Sequence, residues 1–445
     1  MKTTFSSKTI FGHFDGNCFF VSCFLVTRPE LRGSPVGVLT PGDSNFVSAS
    51  PELKKLGIKT CTPLFEVKKI KKNNNVKLFS SEFETFCFFS ERMFRAVKMR
   101  TPKVVPYSID EGYFIAPQIP QLDLLNFGLN LKAHAYDYSR IPICVGFGPT
   151  KLLANIANTW AKTNPELKGV YVINEFNIDY TLEQTPISDI WGIGKNSEIK
   201  LKKLGVFNAL QFRDYPYPAH IQKILTVNGR KLQLELQGVV CWPLETPFEK
   251  KKEIGHSRTF PKGTRNREAI KRSIASFVSE AAEEMRSQGS VCNEISLYLT
   301  TDRHRLDLPQ YANGVSRRLS SYTCDTVKLI EEAFLIFEEI FLEDFDYRKA
   351  GIRLTRLQDF SEHQFALFGS NDTHERIKLM KTMDALNSNY GDKTIQSAAC
   401  GTQSEVEGRV SHLRPPPQFT RWWAVPKITK TINDAKGVKN LPRLL

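Results

Sequence analysis

The clearest pattern of apolar and polar positions runs from residue 244 to residue 360. "EIGHSRTF" reads as a strand. "REAIKRSIASFVSEAAEEMRSQG" places Ile270, Ile274, Phe277, Val278, Ala281 and Met285 at helical spacing and stops at Gly289. "NEISLYLTT" then alternates with period two, turning Ile295, Leu297 and Leu299 inward. After a polar stretch come the strand "RRLSSYT", the helix "TVKLIEEAFLIFEEIF" and the strand "AGIRLTRL". The order β-α-β-β-α-β is a split βαβ unit able to fold alone.

The first 175 residues alternate strand-like with helical runs, which reads as α/β or α+β, the latter making the whole an α+β multidomain chain. "TIFGHFDGNCFFVSCF" and "SPVGVLT" read as apolar segments, and a helix is predicted from Ser80 to about Met99. A hairpin, "VVPYSIDEGYFI", follows, then the strand "IPICVGFG". "TKLLANIANTWAKTNPELKG" reads as one helix with Leu152, Leu153, Ile156 and Trp160 on its apolar side. Residues 176–243 change character: "PISDIWGIGKNSEIKLKKLGV" sets "GIG" between two short helical patterns, the second from near Asn196 to Gly205. From residue 361 to 445, ending in "LRPPPQFTRWWAVPKITK", there is no convincing periodicity. That stretch reads as an extended tail ordered by a partner.

A chain of 445 residues is too long for one core, and roughly three domains is the expectation from length. With 41% hydrophobic and 24% charged residues the composition is globular. The net charge of +14 favours a polyanionic partner, nucleic acid before an anionic membrane, against the alternative of a basic surface kept for solubility. The uncharged run from Gly16 to Thr27 falls well short of the about 20 residues that span a bilayer, so no membrane is expected. The N-terminus lacks the apolar core of a signal peptide. The nine cysteines, scattered without metal-ligand spacing, read as reduced core residues of a cytoplasmic protein.

Two placements of charge raise a chemical question. Asp110 and Glu111 are adjacent carboxylates inside an apolar hairpin, and Asp15 lies in the apolar run "FGHFDGNCFF". A "DEG" between strands is commonly an exposed turn. Three carboxylates meeting at two strand ends would instead suit Mg²⁺, which takes hard oxygen ligands and keeps positions open for water and phosphate. The "GIG" turn, with Gly192, Gly194 and Lys195, either joins two helices or lets backbone N–H groups approach a phosphate, as in a helix-hairpin-helix. From Glu249 to Arg272 there are nine Lys or Arg against three Glu, among them Lys250, Lys251, Lys252 and Arg258. Such a face is either solvated charge or a grip on a duplex backbone.

"DGNCFF" with "YSIDEGYF" resembles the Y-family translesion DNA polymerases, and among them the UmuC type. "RPELRGSPVGVL", "SSEFETF", "VGFGPTKLLANIAN", "WGIG", "GHSRTF", "YRKAGIRL" and "MDALNSNYGDKTI" extend the resemblance collinearly from about Ile10 to Gly401. It implies a right hand: palm (1–28 and 79–175), fingers (29–78), helical thumb with a helix-hairpin-helix (176–243), a DNA-binding little finger (244–360) and a C-terminal tail (361–445). It implies error-prone nucleotidyl transfer past damaged bases in DNA repair and the SOS response, on two Mg²⁺ ions held by Asp15, Asp110 and Glu111 with the Gly16 carbonyl. Phe20 matches the steric gate against a ribose, and Lys162 a contact to the incoming deoxynucleoside triphosphate. In the fingers, where many members carry Tyr and Arg, this chain has Pro51 and Lys54; Pro51 has no N–H to donate, Lys54 is a point charge without Arg's fork, and Ser48 or Ser50 are substitutes. "HQFALF" resembles a sliding-clamp motif, with Gln364 at the rim and Leu367 and Phe368 as anchors. The implied partners are primer-template DNA, the clamp, a UmuD-type accessory subunit and RecA, in a bacterial cytoplasm near the nucleoid. The rival expectation is a non-catalytic DNA-binding scaffold with the same fold.

Overall fold

A computed structural model describes residues 9–67, 75–101, 103–244, 250–361 and 372–402, and Leu413. The chain divides into two compact units, Met1–Pro247 with His412–Leu445, and Phe248–Ser411.

In the first unit β1 (Phe11–Gly16) leads into α1 (Phe19–Thr27). A small sheet follows, made of β2 (Val36–Leu39), β3 (Phe46–Ala49) and β4 (Lys77–Ser80) in the order β3-β2-β4, with α2 (Pro51–Lys55) beside it. Next come α3 (Phe83–Lys98), β5 (Val104–Pro106), β6 (Glu111–Ile115), α4 (Gln121–Ser139), β7 (Ile143–Gly148), α5 (Lys151–Thr163) and β8 (Val170–Val172). Five of these strands form the larger sheet, in the order β5-β6-β1-β7-β8. Alternation along β1 sorts its side chains between two helical layers. Phe14 enters the core of Phe94, Phe114 and Phe147 under α3 and α4, while Phe11 packs with Tyr113 and Ala154 on the α5 side.

Helix α5 reaches this sheet closely because Gly146 has no side chain. A Cβ there would stand 2.1 Å from the Asn158 backbone nitrogen and 2.3 Å from the Ala154 carbonyl oxygen. Thr150 caps the helix, its hydroxyl accepting from the Leu153 N–H at 3.3 Å. The helix ends at Thr163 rather than running to Gly169 as the pattern predicts. Asn164 leaves helical geometry (φ −112°, ψ 100°) because Pro165 disfavours it in the residue before, and Pro165–Leu167 form a 3₁₀ turn. Four further helices, α6 (Ile178–Gln184), α7 (Lys195–Lys203), α8 (Ala209–Arg213) and α9 (Pro218–Leu236), close on Ile187, Leu201, Phe212, Leu232 and Leu236. The buried Glu235 carboxylate ties α9 to α5 by accepting from the Leu152 N–H at 3.1 Å, an anion at a helix N-terminus.

The second unit has the expected element order: β9 (Ile254–Thr264), α10 (Arg267–Ser287), β10 (Ser290–Thr301), β11 (Ala312–Thr323), α11 (Thr326–Ile340) and β12 (Tyr347–Thr355), with a short β13 (Gln358–Asp359). The sheet runs β11-β10-β12-β9, antiparallel throughout. Ile295, Leu297 and Leu299 are fully buried under α10 and α11, as their alternation requires.

The reading of everything beyond residue 360 as an extended tail is corrected here. Residues 372–402 fold onto this unit through α12 (His374–Tyr390). Only Met380 and Asn387 of α12 are buried, so it lacks the apolar stripe that marks a helix in sequence. Ion pairs hold it instead. Arg286 makes two 2.7 Å bonds to Asp384, Arg376 bonds both Asp325 oxygens, and Lys328 meets Asp372 at 3.0 Å. Lys393 meets Glu280 at 2.8 Å. All nine cysteines are free, and among the described residues no helix is long and apolar enough to cross a membrane.

Candidate active site

Register brings the carboxylates together. On the antiparallel β1–β6 pair Asp15 lies directly opposite Glu111, and the Gly16 N–H donates to the Asp110 carbonyl at 2.8 Å. Like charges directly opposite on a sheet repel, so this end of the pair demands compensation by cations or donors. The α5 helix supplies one. Asn158 bridges β1 and β7 from above, its amide donating to the carbonyls of His13 (3.0 Å) and Cys144 (2.8 Å). One turn on, the Lys162 ammonium reaches Asp15 Oδ1 at 2.5 Å. Burial still pushes the Asp15 carboxyl above its usual range, outweighing Lys162, and the neighbouring Asp110 charge adds to the rise.

Each of the other carboxylates has its own partner. Glu111 Oε2 lies 3.3 Å from His13 Nε2, and Asp110 accepts from the Ser108 hydroxyl at 2.6 Å. Among the described residues no three of His, Cys, Asp or Glu are drawn into a ready metal-holding cluster. The expected convergence is therefore a convergence of backbone positions, with the three side chains turned to separate internal partners. The donor set still fits a hard divalent cation: the carboxylates of Asp15, Asp110 and Glu111 gather at one strand end, with the Lys162 ammonium paired to Asp15.

Cys18, in the left-handed region at φ 46°, starts α1 and precedes two adjacent aromatics. Phe19 is 1% exposed in the core, whereas Phe20 is only partly buried, its ring edge-on to Phe86 with centroids 4.7 Å apart. Phe20 is thus the ring of the two that keeps exposed surface. Lys54, in the last turn of α2, places its ammonium 3.4 Å from Cys18 Sγ, at the loop following Asp15. Ser48 is buried in β3 opposite Val38, leaving little of its hydroxyl for a ligand. Ser50 is excluded as a substitute: its hydroxyl accepts from the Leu53 and Val36 N–H groups and donates to the Ser34 carbonyl, capping α2 with Pro51 in its first turn.

Three family profiles match the chain in order: the impB/mucB/samB family over residues 14–159, the C-terminal domain of that family over 251–367, and a domain of unknown function over 377–428. Protein SamB of Salmonella typhimurium is 31% identical over 417 residues, 93% of this chain and 98% of that protein. The chain belongs to the impB/mucB/samB family. Protein UmuC of Salmonella typhimurium is likewise 31% identical over 407 residues, covering 90% and 96% of the two chains. A protein named DNA polymerase IV, from Oceanobacillus iheyensis, is 24% identical over 88% of this chain and 92% of its own. Among solved structures, a Y-family DNA polymerase chimera superposes with a TM-score of 0.63 at 20% identity, over 79% of this chain and 99% of that one. The fold is that of the Y-family polymerases.

The remaining predicted positions divide. In the "GIG" turn Gly192 has φ +88°, Ile193 is buried as an anchor, and Gly194 and Lys195 are exposed at the start of α7. A Cβ at Gly194 would meet nothing within 4 Å, so the backbone just before α7 is open to approach on that side. The basic stretch of the second unit is a different matter. Lys250 is ion-paired with Asp359 and Lys251 with Glu284, while Lys252 is exposed. Arg258 lies over the Phe277 ring of α10 at 5.6 Å, on the helix side of the sheet. These charges are largely matched by the unit's own carboxylates and helices.

The sheet face turned away from the helices carries basic residues that the sequence pattern did not single out. Register sets Ser296 between Ser316 and Arg353, while Lys349 pairs with Thr300 and Arg318 with Glu294. The Gly314–Tyr298–Gly351 row keeps the surface low around one aromatic ring. The period-two exposure of β11 was the available signal, since Gly314, Ser316, Arg318 and Ser320 are all exposed. Gln364, Leu367 and Phe368 lie outside the described residues.

Proposed function

We propose that this chain is an error-prone, DNA-template-directed DNA polymerase that extends primers past damaged bases, as part of DNA repair in the SOS response. The observation that carries the reading is the cross-strand pairing of Asp15 with Glu111 beside Asp110, under a helix that delivers Lys162. Asp15, Asp110 and Glu111, with the Gly16 carbonyl, would hold two Mg²⁺ ions. When bound, these supply Lewis-acid activation of a primer 3′-hydroxyl and neutralise the triphosphate of the incoming deoxynucleotide.

The chain's own groups do the rest. Lys162 leaves Asp15 for a phosphate oxygen, an exchange of one anion for another at the same ammonium. Lys54 approaches the triphosphate from α2, and Phe20 lies against the sugar and excludes a 2′-hydroxyl by overlap. The palm is assigned to residues 1–28 and 79–175, the fingers to 29–78 and the thumb to 176–243. In the thumb Gly192, Gly194 and Lys195 present N–H groups and charge to the DNA backbone. The second unit is the little finger, and its helix-free sheet face, with Arg318, Lys349 and Arg353, tracks the duplex phosphates. Gln364, Leu367 and Phe368 take a sliding clamp, and a UmuD-type subunit and RecA are partners in a bacterial cytoplasm at the nucleoid.

Primer extension on an abasic template tests the reading. Asp110→Asn removes one anionic ligand without touching the basic surfaces, so nucleotide addition is expected to vanish while primer-template affinity stays within about twofold, less than about 0.5 kcal/mol. Undiminished extension in Mg²⁺ by this variant refutes the site.

A further inference from the structure

His13 stands two residues before Asp15 on β1, on the same face of the sheet, where a strand covered by α5 would ordinarily carry an aliphatic side chain. It is 1% exposed. Its ring packs against Tyr113, the residue opposite in register, at 4.5 Å between centroids. Nε2 lies 3.3 Å from Glu111 Oε2, yet neither ring nitrogen makes a well-aligned hydrogen bond. A buried imidazole without aligned partners disfavours the fold unless something compensates it. Among the described residues, the carboxylate within ion-pair distance of it is that of Glu111.

We infer that His13 is a positioning residue for Glu111: its Nε2, 3.3 Å from Oε2, limits the rotamers of that carboxylate at the strand end it shares with Asp15 and Asp110. The inference rests on the reading of these carboxylates as metal ligands. A free Glu side chain samples several rotamers, and a carboxylate that must meet a cation at one strand end loses affinity for every rotamer that points elsewhere. Tyr113 fixes the plane of the imidazole from one side, and Asn158 fixes the His13 backbone by donating to its carbonyl. These contacts restrict the ring on β1. Residues that orient a metal-ligating group typically change metal affinity about 10- to 100-fold when removed.

Mn²⁺ binding to the full chain without nucleotide, followed by electron paramagnetic resonance, tests this with three variants. His13→Leu is expected to weaken Mn²⁺ binding about tenfold or more. His13→Gln carries an amide donor to the place of Nε2 and is expected to restore most of the affinity. His13→Asn is polar and foldable but ends one carbon short of Glu111, and is expected to behave like Leu. Binding is compared at matched folded fraction, so if the Leu variant does not fold, the Gln and Asn pair still decides. Equal affinity in Gln and Asn variants, or wild-type affinity in the Leu variant, overturns the role of His13. Glu111→Gln separates the two layers of the argument. If it leaves Mn²⁺ binding unchanged, the metal reading of the site fails; if it weakens binding while the His13 variants do not, only the positioning role fails.

Discussion

Truncating Phe20 to alanine separates a ring that selects the sugar from a ring that merely packs. In the structure Phe20 is partly buried, edge-on to Phe86 at 4.7 Å and to Phe19 at 5.6 Å between centroids. Removing a fully buried phenylalanine costs about 3–5 kcal/mol, and the aromatic contacts add about 0.5–1.5 kcal/mol beyond area. With part of the ring in solvent, Phe20→Ala is expected to cost about 2–3 kcal/mol of stability. That loss acts on the folded fraction and lowers incorporation of both sugars alike. Sugar choice responds differently, because only the ribonucleotide overlaps the ring. Relief of that overlap by as little as about 1.4 kcal/mol raises the ribo-to-deoxy incorporation ratio tenfold. The assay is single-nucleotide insertion with each sugar by wild type and variant, at matched folded fraction. Phe19→Ala is the control: its ring is 1% exposed, so stability falls and the ratio stays put. A ratio unmoved in Phe20→Ala would falsify the gate.

Three further outcomes are expected. Neutralising Arg318, Lys349 and Arg353 together should flatten the slope of log K against log salt for primer-template by up to about 0.9 for each phosphate they no longer neutralise; an unchanged slope in a salt titration refutes the assignment of the helix-free face. Gly146→Ala should destabilise the first unit by about 3 kcal/mol or more, since the new Cβ would sit 2.1 Å from the Asn158 nitrogen; an unchanged denaturation midpoint would show that α5 can retreat freely. Docking of residues 372–402 should weaken in acid. Burial pushes Glu280 up, but hydrogen bonds from His256 and Lys393 outweigh it and bring the group to about 2, so its contribution through Lys393 is present above 4.5 and lost as pH falls toward 2. Amide protection of α12, corrected for intrinsic exchange, should therefore fall as pH drops from about 4.5 toward about 2, and a profile flat over that range contradicts it.

Much of the fold was legible because burial imprints a period. The order of the second unit follows from Ile270 to Met285 at helical spacing and from Ile295, Leu297 and Leu299 at period two, each a local record of which face meets the core. The candidate carboxylates were legible for the opposite reason: Asp15, Asp110 and Glu111 stand where an apolar pattern forbids charge. Pairing was not legible. Lys251 finds Glu284 across 33 positions and Lys250 finds Asp359 across 109, so a run of lysines that reads as a free basic face is largely neutralised within its own unit. Helix α12 escaped detection because charge, and not an apolar stripe, holds it, and ion pairs leave no periodic trace. The same limit hid His13 and the hold of Lys162 on Asp15. A sequence records what each residue prefers as its surroundings. Strand register and the close seat of α5 on Gly146 decide which residues become those surroundings.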